Sequence, residues 1–274
     1  MHEPEQSYQP SHPQPAGRGS AGLLFENILD DAGAGYARHA LPLLLLSGVA
    51  TALNAWEFPL PAGDTLGHES LPLPVAAVAA AVYGRWDIAA GLAGMCIAKT
   101  LGPFLAYAVA CRLAAPALSG RTGFGDALRD VALALPSLLG SMGMLSLLLS
   151  LVALTLVGLP YALYLTVRWA FTVQAVVIDS TDAFGALYLS WDAVKGKWWR
   201  TFFTLLAIGT LLALLPLLAA LPFGDTAVPP AVAAAAVQWL LWPLLPLATT
   251  AYYRRLTAGF PWAPSRYGRP RPAG

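Results

Sequence analysis

Six long apolar stretches constrain this chain more than any other feature of its sequence. A helix that crosses a membrane needs about 20 mainly apolar residues, because the hydrocarbon core is about 30 Å thick and backbone groups inside it must pair within the helix. The predicted spans are Ala40 to Trp56, Ile88 to Cys111, Ala132 to Val157, Leu159 to Ile178, Thr201 to Leu221 and Pro230 to Tyr253. The sequence therefore predicts an all-α, polytopic integral membrane protein with six transmembrane helices in three hairpins.

Composition agrees with this fold class. Hydrophobic residues make up 57% of the chain and charged residues 11%, against about 25% charged in an ordinary soluble domain. The net charge is only +1, and the basic residues form short clusters, which argues against nucleic acid as a partner. We expect the lipid bilayer as the main partner, while a membrane-protein partner, a second copy of the chain and a small-molecule ligand stay open.

Both ends of the chain read as tails around a transmembrane domain at residues 21–256. Residues 1–20 are rich in Pro, Gln, Ser and His and lack the basic and apolar regions of a signal peptide, so they are predicted to be disordered. Residues 257–274 are rich in Pro and Arg and are predicted to be disordered as well. Arginine outnumbers lysine, and Ala, Leu, Gly and Pro are abundant, which is typical of a GC-rich bacterial genome.

One apolar stretch, Leu71 to Tyr83, is too short to cross a membrane. We interpret it as an interfacial or re-entrant segment. The alternative is a seventh span that continues through Arg85, but it would place Arg85 and Asp87 inside the bilayer at a cost of several kcal/mol.

The basic residues predict the orientation. With the N-terminus in the cytoplasm, the inner segments hold thirteen of the sixteen Lys and Arg residues, as the positive-inside rule requires. We therefore expect a bacterial plasma membrane protein with both termini in the cytoplasm.

Amphipathic segments precede the hairpins on the predicted cytoplasmic side. In the third segment, apolar residues recur at spacings of three and four, which predicts a helix lying in the membrane surface. Asp182 is the predicted N-cap and Gly196 the predicted end of this helix. The apolar positions are Phe184, Leu187, Trp191, Val194 and Trp198; the earlier segments have Phe25, Ile28, Leu29 and Tyr36, and then Phe124, Ala127, Leu128 and Val131. Together they suggest a threefold repeat of amphipathic helix plus hairpin.

An aromatic and basic anchor is predicted where the third segment meets the fifth span. Trp and cationic side chains favour the headgroup region of a membrane. The predicted anchor residues are Trp191, Lys197, Trp198, Trp199 and Arg200.

Small residues occupy every fourth position of the second span. Such a ridge lets helices approach closely, and we expect it to pack within the monomer, with packing in an oligomer as the alternative. The ridge consists of Ala90, Gly94, Ala98, Gly102, Ala106 and Ala110.

Two basic residues, Lys99 and Arg168, lie deep in predicted spans without an acidic residue at comparable depth. An intramembrane charge suggests a functional site, and these two are candidate contacts for an anion or a lipid. The alternative, which we favour, is that both side chains reach a headgroup region or bond to backbone carbonyls.

Catalytic interpretations find little support. The four histidines, His2, His12, His39 and His68, form no pair for a metal and no buried base for a nucleophile. The stretch Gly123 to Asp126 matches the Gly-x-Gly-Asp of intramembrane aspartyl proteases, but no span supplies the second Asp. We therefore expect no enzyme activity, no catalytic residue, no metal and no cofactor.

A family resemblance rests on the block from Arg168 to Arg200. The stretch Arg168 to Asp179, followed by Ala186-Leu187, Ser190-Trp191, Val194-Lys195-Gly196 and Trp198-Trp199-Arg200, resembles the membrane domain attached to some glycerophosphoryl diester phosphodiesterases. The same domain occurs alone in many bacterial six-helix proteins. The resemblance covers Leu23 to about Arg255 and implies a membrane fold.

The resemblance does not imply phosphodiesterase activity. In that family the catalytic module is a separate TIM barrel, and its metal-binding motifs have no counterpart in this sequence. Asp179 stands where the family often has Glu, and Ser180-Thr181 follows where Gly is frequent. The resemblance also suggests that Arg168 is a structural anchor for the turn at Asp179. The expected function is that of a non-enzymatic membrane scaffold or partner subunit, and the alternative is a transporter or channel-like protein for a small or lipidic anion.

Overall fold

The computed structural model describes residues 25–55, 81–82, 84–115, 123–155, 158–223 and 230–258. Helices account for 90% of these residues, and none of them forms a strand. The α-helices in this part of the chain are α1 (Phe25–Arg38), α2 (Ala40–Ala55), α3 (Trp86–Ala114), α4 (Phe124–Ala153), α5 (Gly158–Arg168), α6 (Thr172–Asp179), α7 (Ala183–Val194), α8 (Trp198–Ala220), α9 (Pro230–Leu241) and α10 (Leu244–Thr257).

Five helical segments of the described part are long and apolar enough to cross a membrane, and the bent pair α1 and α2 can supply a sixth. The five are α3, α4, α5 with α6, α8, and α9 with α10. The predicted all-α, polytopic membrane fold is therefore confirmed. The segment Leu71 to Tyr83, apart from Ala81 and Val82, and the two predicted tails, apart from Thr257 and Ala258, lie outside the described residues.

Helix α1 meets α2 at an angle of 95°. If α2 crosses the membrane near its normal, α1 lies along the surface, as its amphipathic pattern predicts. Part of its apolar side faces the protein, because Ile28 and Ala32 are buried and α1 packs on α10. The Arg255 guanidinium also ties the two helices together by pairing with Asp31 and donating to the Asn27 carbonyl.

The second amphipathic segment differs from the expectation. It is continuous with the third span in the 30-residue helix α4, so no break separates the two. Pro136 lies inside α4 and removes one backbone hydrogen bond, but the helix continues on both sides of it. The other two segments do end, at His39 in a turn and near Gly196, whose φ is +76°. The suggested repeat therefore has two separate leading helices and one fused helix.

The small-residue ridge of α3 packs within the chain over its second half. Ala106 and Ala110 are buried, and a Cβ on Gly102 would lie 2.2 Å from Leu53 Cδ1 of α2. The first half differs, because Ala90 and Gly94 are exposed among the described residues. The predicted close approach within the monomer is therefore found at Gly102, where a Cβ would require the Leu53 side chain to shift.

Candidate functional site

The fourth span is interrupted between α5 and α6. The amide of Trp169 still bonds the Leu165 carbonyl at 2.9 Å, but beyond it the regular ladder fails. The Ser190 side chain of α7 bridges the gap: its hydroxyl donates to the Arg168 carbonyl at 2.9 Å and accepts from the Phe171 amide at 3.1 Å. Unpaired backbone groups inside a membrane are costly, so this one hydroxyl stabilises the interruption.

Arg168 lies at the end of α5 and is held by residues of α5 itself and of α7. Its Nε donates to the Tyr164 hydroxyl at 2.9 Å, and its Nη1 donates to the Trp191 carbonyl at 3.1 Å. The guanidinium carbon also lies 4.5 Å from the Trp191 ring centroid and 5.2 Å from that of Tyr164. This is cation–π contact in addition to hydrogen bonding, and together these contacts fix the position of the guanidinium with partners from the protein itself.

Arg168 does not serve the turn at Asp179, contrary to the role suggested by the resemblance. The Asp179 carboxylate instead accepts a 2.5 Å hydrogen bond from the Tyr253 hydroxyl of α10. The next residue, Ser180, has a φ of +53°, in the left-handed region that favours glycine. The position where the resembling family frequently has Gly therefore takes a glycine-like conformation in this chain.

Lys99 is not among the partners of Arg168. It is half-buried on α3 and makes no hydrogen bond or ion pair within the part of the chain that the structure describes. The hydrogen-bond partners of Arg168 belong to α5 and α7, and none of them is shared with Lys99.

The predicted aromatic anchor divides into two parts. Trp198 packs inward: its Nε1 donates to the Tyr164 carbonyl at 3.1 Å and its ring stacks on that of Tyr164 at 5.6 Å. Trp191 contacts the Tyr164 ring edge to face at 6.1 Å. Trp199 is 67% exposed, Arg200 is exposed, and Lys197 is half-buried. Two tryptophans are thus packing residues, and the others form the outer surface.

Helix α7 has the predicted ends, and its buried face overlaps the predicted apolar face at Leu187 and Val194 but not at Phe184. The Asp182 carboxylate caps it by accepting from the Gly185 amide at 3.0 Å, and the helix stops at Val194, before Gly196. The buried residues are Ala186, Leu187, Leu189, Ser190, Ala193 and Val194. Phe184, assigned to the apolar face, is 67% exposed, because α7 turns back against the fourth span through Ser190 and buries the side that Ser190 belongs to.

A buried polar crossing joins α3, α6 and α10, and the sequence pattern did not predict it. The Gln174 amide nitrogen donates to the Tyr107 hydroxyl at 2.9 Å and to the Thr249 hydroxyl at 3.1 Å. The two hydroxyls lie 2.8 Å apart. The signal in the sequence is the single amide in the apolar run of α6 together with the threonine pair Thr249-Thr250 in the last span.

The described ranges show no cluster of metal-ligating side chains. They contain no group of three or more His, Cys, Asp or Glu side chains arranged to hold a metal ion. Both cysteines, Cys96 and Cys111, are free.

No protein-family model, no curated protein and no solved structure matches this chain. The fold defines its class, a multi-pass α-helical membrane protein.

Proposed function

We propose that this chain is a non-enzymatic scaffold or partner subunit of the bacterial plasma membrane, with both termini in the cytoplasm. We also propose that it is related to the membrane domain of the glycerophosphoryl diester phosphodiesterases, without their catalytic module. The observation that carries the proposal is the state of Arg168, the strongest candidate in the sequence for a ligand contact. Its guanidinium is already bound by Tyr164 and Trp191.

The energies of its contacts favour a structural role for Arg168 over a role in binding a ligand. A hydrogen bond from a charged donor contributes about 1.5–3 kcal/mol, and a desolvated cation–π contact contributes about 2 kcal/mol. Two of the five N–H groups of Arg168 already have protein acceptors, so an anion would have to bind the remaining N–H groups of a side chain whose position is fixed by the protein. A carrier that binds and releases its substrate is poorly served by a cation held so firmly.

The surface supports a protein that works among lipids and other helices. Helix α8 has 23 residues, of which only Thr201, Ile208 and Pro216 are buried. At the start of this helix, Trp199 is exposed next to Lys197 and Arg200, which suits the headgroup region. In the proposed orientation these three residues contact the headgroups of the cytoplasmic leaflet.

The alternative function is a carrier or channel-like protein for a small or lipidic anion. The observation that favours it is Lys99, which lies within a candidate span and has no polar partner in the described ranges. An unpaired lysine inside a membrane is costly, and an anion would offset that cost.

Flux measurements separate the two functions. The purified protein is reconstituted in liposomes, and uptake of labelled phosphate and exchange of fluorescent phosphatidylglycerol between leaflets are measured. A scaffold gives no flux above that of empty liposomes. Flux that disappears in Lys99→Gln, while the melting temperature stays that of the wild type, would establish the carrier and overturn the scaffold.

Photocrosslinking tests the partner directly. A photoreactive residue at Leu217, on the exposed side of α8, is activated in intact bacterial membranes. The scaffold proposal predicts one discrete protein adduct or a crosslinked dimer. Adducts with lipid alone at Leu217 and at the similarly exposed Leu206 and Leu214 would contradict it.

Cysteine labelling tests the orientation. Single cysteines at Thr65 and Thr226 are predicted to react with a membrane-impermeant reagent added outside, in a variant whose native Cys96 and Cys111 are replaced by serine. Protection of both positions would reverse the orientation.

A further inference from the structure

The sixth span is interrupted, as the fourth span is. Trp242 and Pro243 separate α9 from α10. Because Pro243 has no amide hydrogen, it cannot bond the Trp239 carbonyl four residues earlier, as a residue in an α-helix would. The amide of Leu245 bonds the Trp242 carbonyl at 3.2 Å, only three residues back. The regular α-helical ladder is therefore broken at this proline.

Side chains of α1 and α2 bind the end of α9. The Ser47 hydroxyl donates to the Trp239 carbonyl at 2.5 Å. The Tyr36 hydroxyl donates to the Leu240 carbonyl at 3.2 Å. In the other direction, the Trp239 Nε1 donates to the Leu44 carbonyl of α2 at 2.9 Å. Unpaired carbonyls inside a membrane are costly, so Tyr36 and Ser47, which we call the clasp, hold α9 against α1 and α2.

The two halves of the sixth span have different surroundings. Helix α9 packs on α8 and α2, and none of its described side chains is buried. Its neighbour α8 is buried at only three positions. Helix α10 packs mainly on α1 and α3, and eight of its residues are buried. The break therefore joins a peripheral helix to a core helix.

The clasp differs from the bridge in the fourth span. There Ser190 binds both sides of the gap, at the Arg168 carbonyl and at the Phe171 amide. The clasp binds carbonyls of α9 only, so it does not join α9 directly to α10. It fixes α9 to α1, which in turn packs on α10. A proline break between two differently packed helices is a suitable place for a hinge.

We propose that Trp242 and Pro243 form a hinge about which α9 moves relative to α10, and that the clasp holds the position seen in the structure. Movement of α9 away from α2 breaks the bonds of the clasp and opens the contact between the first and sixth spans. The clasp consists of neutral hydrogen bonds, whose modest net strength allows reversible opening. The hinge is independent of the proposed scaffold function.

Distance measurements between spin labels in nanodiscs test the hinge. Labels at the exposed Val232 of α9 and Leu128 of α4 report the position of α9 relative to the core. Labels at Leu128 and at the exposed Ile97 of α3 report the core alone. Both pairs are introduced into a variant whose native cysteines are replaced by serine.

Two substitutions should change the α9 distances in opposite directions. Ser47→Ala removes a donor of the clasp and should broaden the distance distribution between Val232 and Leu128. Pro243→Ala restores the amide that can bond the Trp239 carbonyl and should narrow it. The distribution between Leu128 and Ile97 should stay that of the wild type in both variants. A Pro243→Ala distribution as broad as the wild type overturns the hinge, and an unchanged Ser47→Ala distribution overturns the clasp.

Hydrogen exchange of the backbone is the second measurement. In Tyr36→Phe and in Ser47→Ala, the amides of α9 should exchange faster than in the wild type, while those of α10 should keep their rates. Ser150→Ala, at an exposed position of α4, is the matched control and should change neither helix. Equal acceleration in α9 and α10 would show that the whole domain loosens, which contradicts a hinge between them.

Discussion

The fourth span and α8 are both predicted from apolar stretches, yet they are held in different ways. In the most apolar window of the fourth span, 50% of the residues are buried in the protein, whereas in that of α8 only 11% are buried. The fourth span is interrupted and then secured by Arg168 and by Ser190 of α7. Helix α8 is continuous and presents most of its side chains outward. A span can therefore depend on polar bonds from a neighbouring helix or mainly on its fit to lipid.

The largest effect is expected for Arg168→Met. The variant removes two hydrogen bonds of a charged donor and its ring contacts and leaves the Trp191 carbonyl and the Tyr164 hydroxyl without that donor. We expect a loss of about 3 kcal/mol or more in the free energy of unfolding, measured by denaturation in mixed micelles. Arg200→Met on α8 is the matched control and should change this free energy little. If Arg168→Met and Arg200→Met lost the same free energy of unfolding, the fourth span would not depend on polar bonds more than α8 does.

The next effect is expected for Ser190→Ala. It deprives the Arg168 carbonyl and the Phe171 amide of their shared partner, and we expect a loss of about 2 kcal/mol. Hydrogen exchange of the backbone should accelerate at Phe171 and around the interruption. Ser150→Ala, at an exposed position of α4, should leave exchange and stability as they are. A Ser190→Ala protein as stable as the wild type would show that the interruption needs no bridge from α7.

Gly102→Ala tests packing without polar bonds. The added Cβ would lie 2.2 Å from Leu53 Cδ1. Because the half-buried Leu53 side chain can shift, we expect a loss near the lower end of the about 1–3 kcal/mol that overpacking costs. Leu53→Ala in the same chain should restore part of the loss by making room. Gly209→Ala on α8, where a Cβ meets nothing within 4 Å, should be neutral or slightly stabilising. A stable Gly102→Ala protein would indicate that α2 and α3 are not in close contact at this point.

The smallest effect on folding is expected for Arg200→Gln at the start of α8. In zwitterionic nanodiscs the free energy of unfolding should match that of the wild type, because Arg200 is exposed and its predicted partner is a lipid. In nanodiscs rich in phosphatidylglycerol, the variant should lose about 1 kcal/mol of the stabilisation that the anionic lipid gives the wild type. The same substitution at the exposed Arg38 and at the exposed Arg254 serves as control. If all three arginines behave alike, the start of α8 is not a special anchor.

Much of the fold could be predicted because its causes are local. Long apolar runs located the spans, and Asp182 and Gly196 located the ends of α7. The small-residue pattern indicated α3 as a close-packing helix. The interruption after Arg168 could not be predicted, because Trp169 to Phe171 contain neither proline nor glycine. The interruption depends on the hydroxyl of Ser190, which lies 19 positions beyond Phe171. A local sequence pattern does not reveal that these two residues are in contact.

The candidate site shows the same limit. The sequence singled out Lys99 and Arg168 because a charge in an apolar run is visible by itself. The sequence did not show that two aromatic rings and a backbone carbonyl contact the Arg168 guanidinium. It also did not show that the side chains of Gln174, Tyr107 and Thr249 are hydrogen bonded to one another. These contacts join residues between 4 and 75 positions apart, and their strength depends on distance in space.

The sequence by itself determined that this is an all-α, multi-pass membrane protein, because the thickness of the bilayer fixes how long and how apolar each span must be. Only the tertiary structure decided which face of α7 is buried, where the fourth span is interrupted and which polar groups are satisfied. The physical reason is that transfer into lipid acts on each segment separately, whereas hydrogen bonds and close packing require particular partners from other segments.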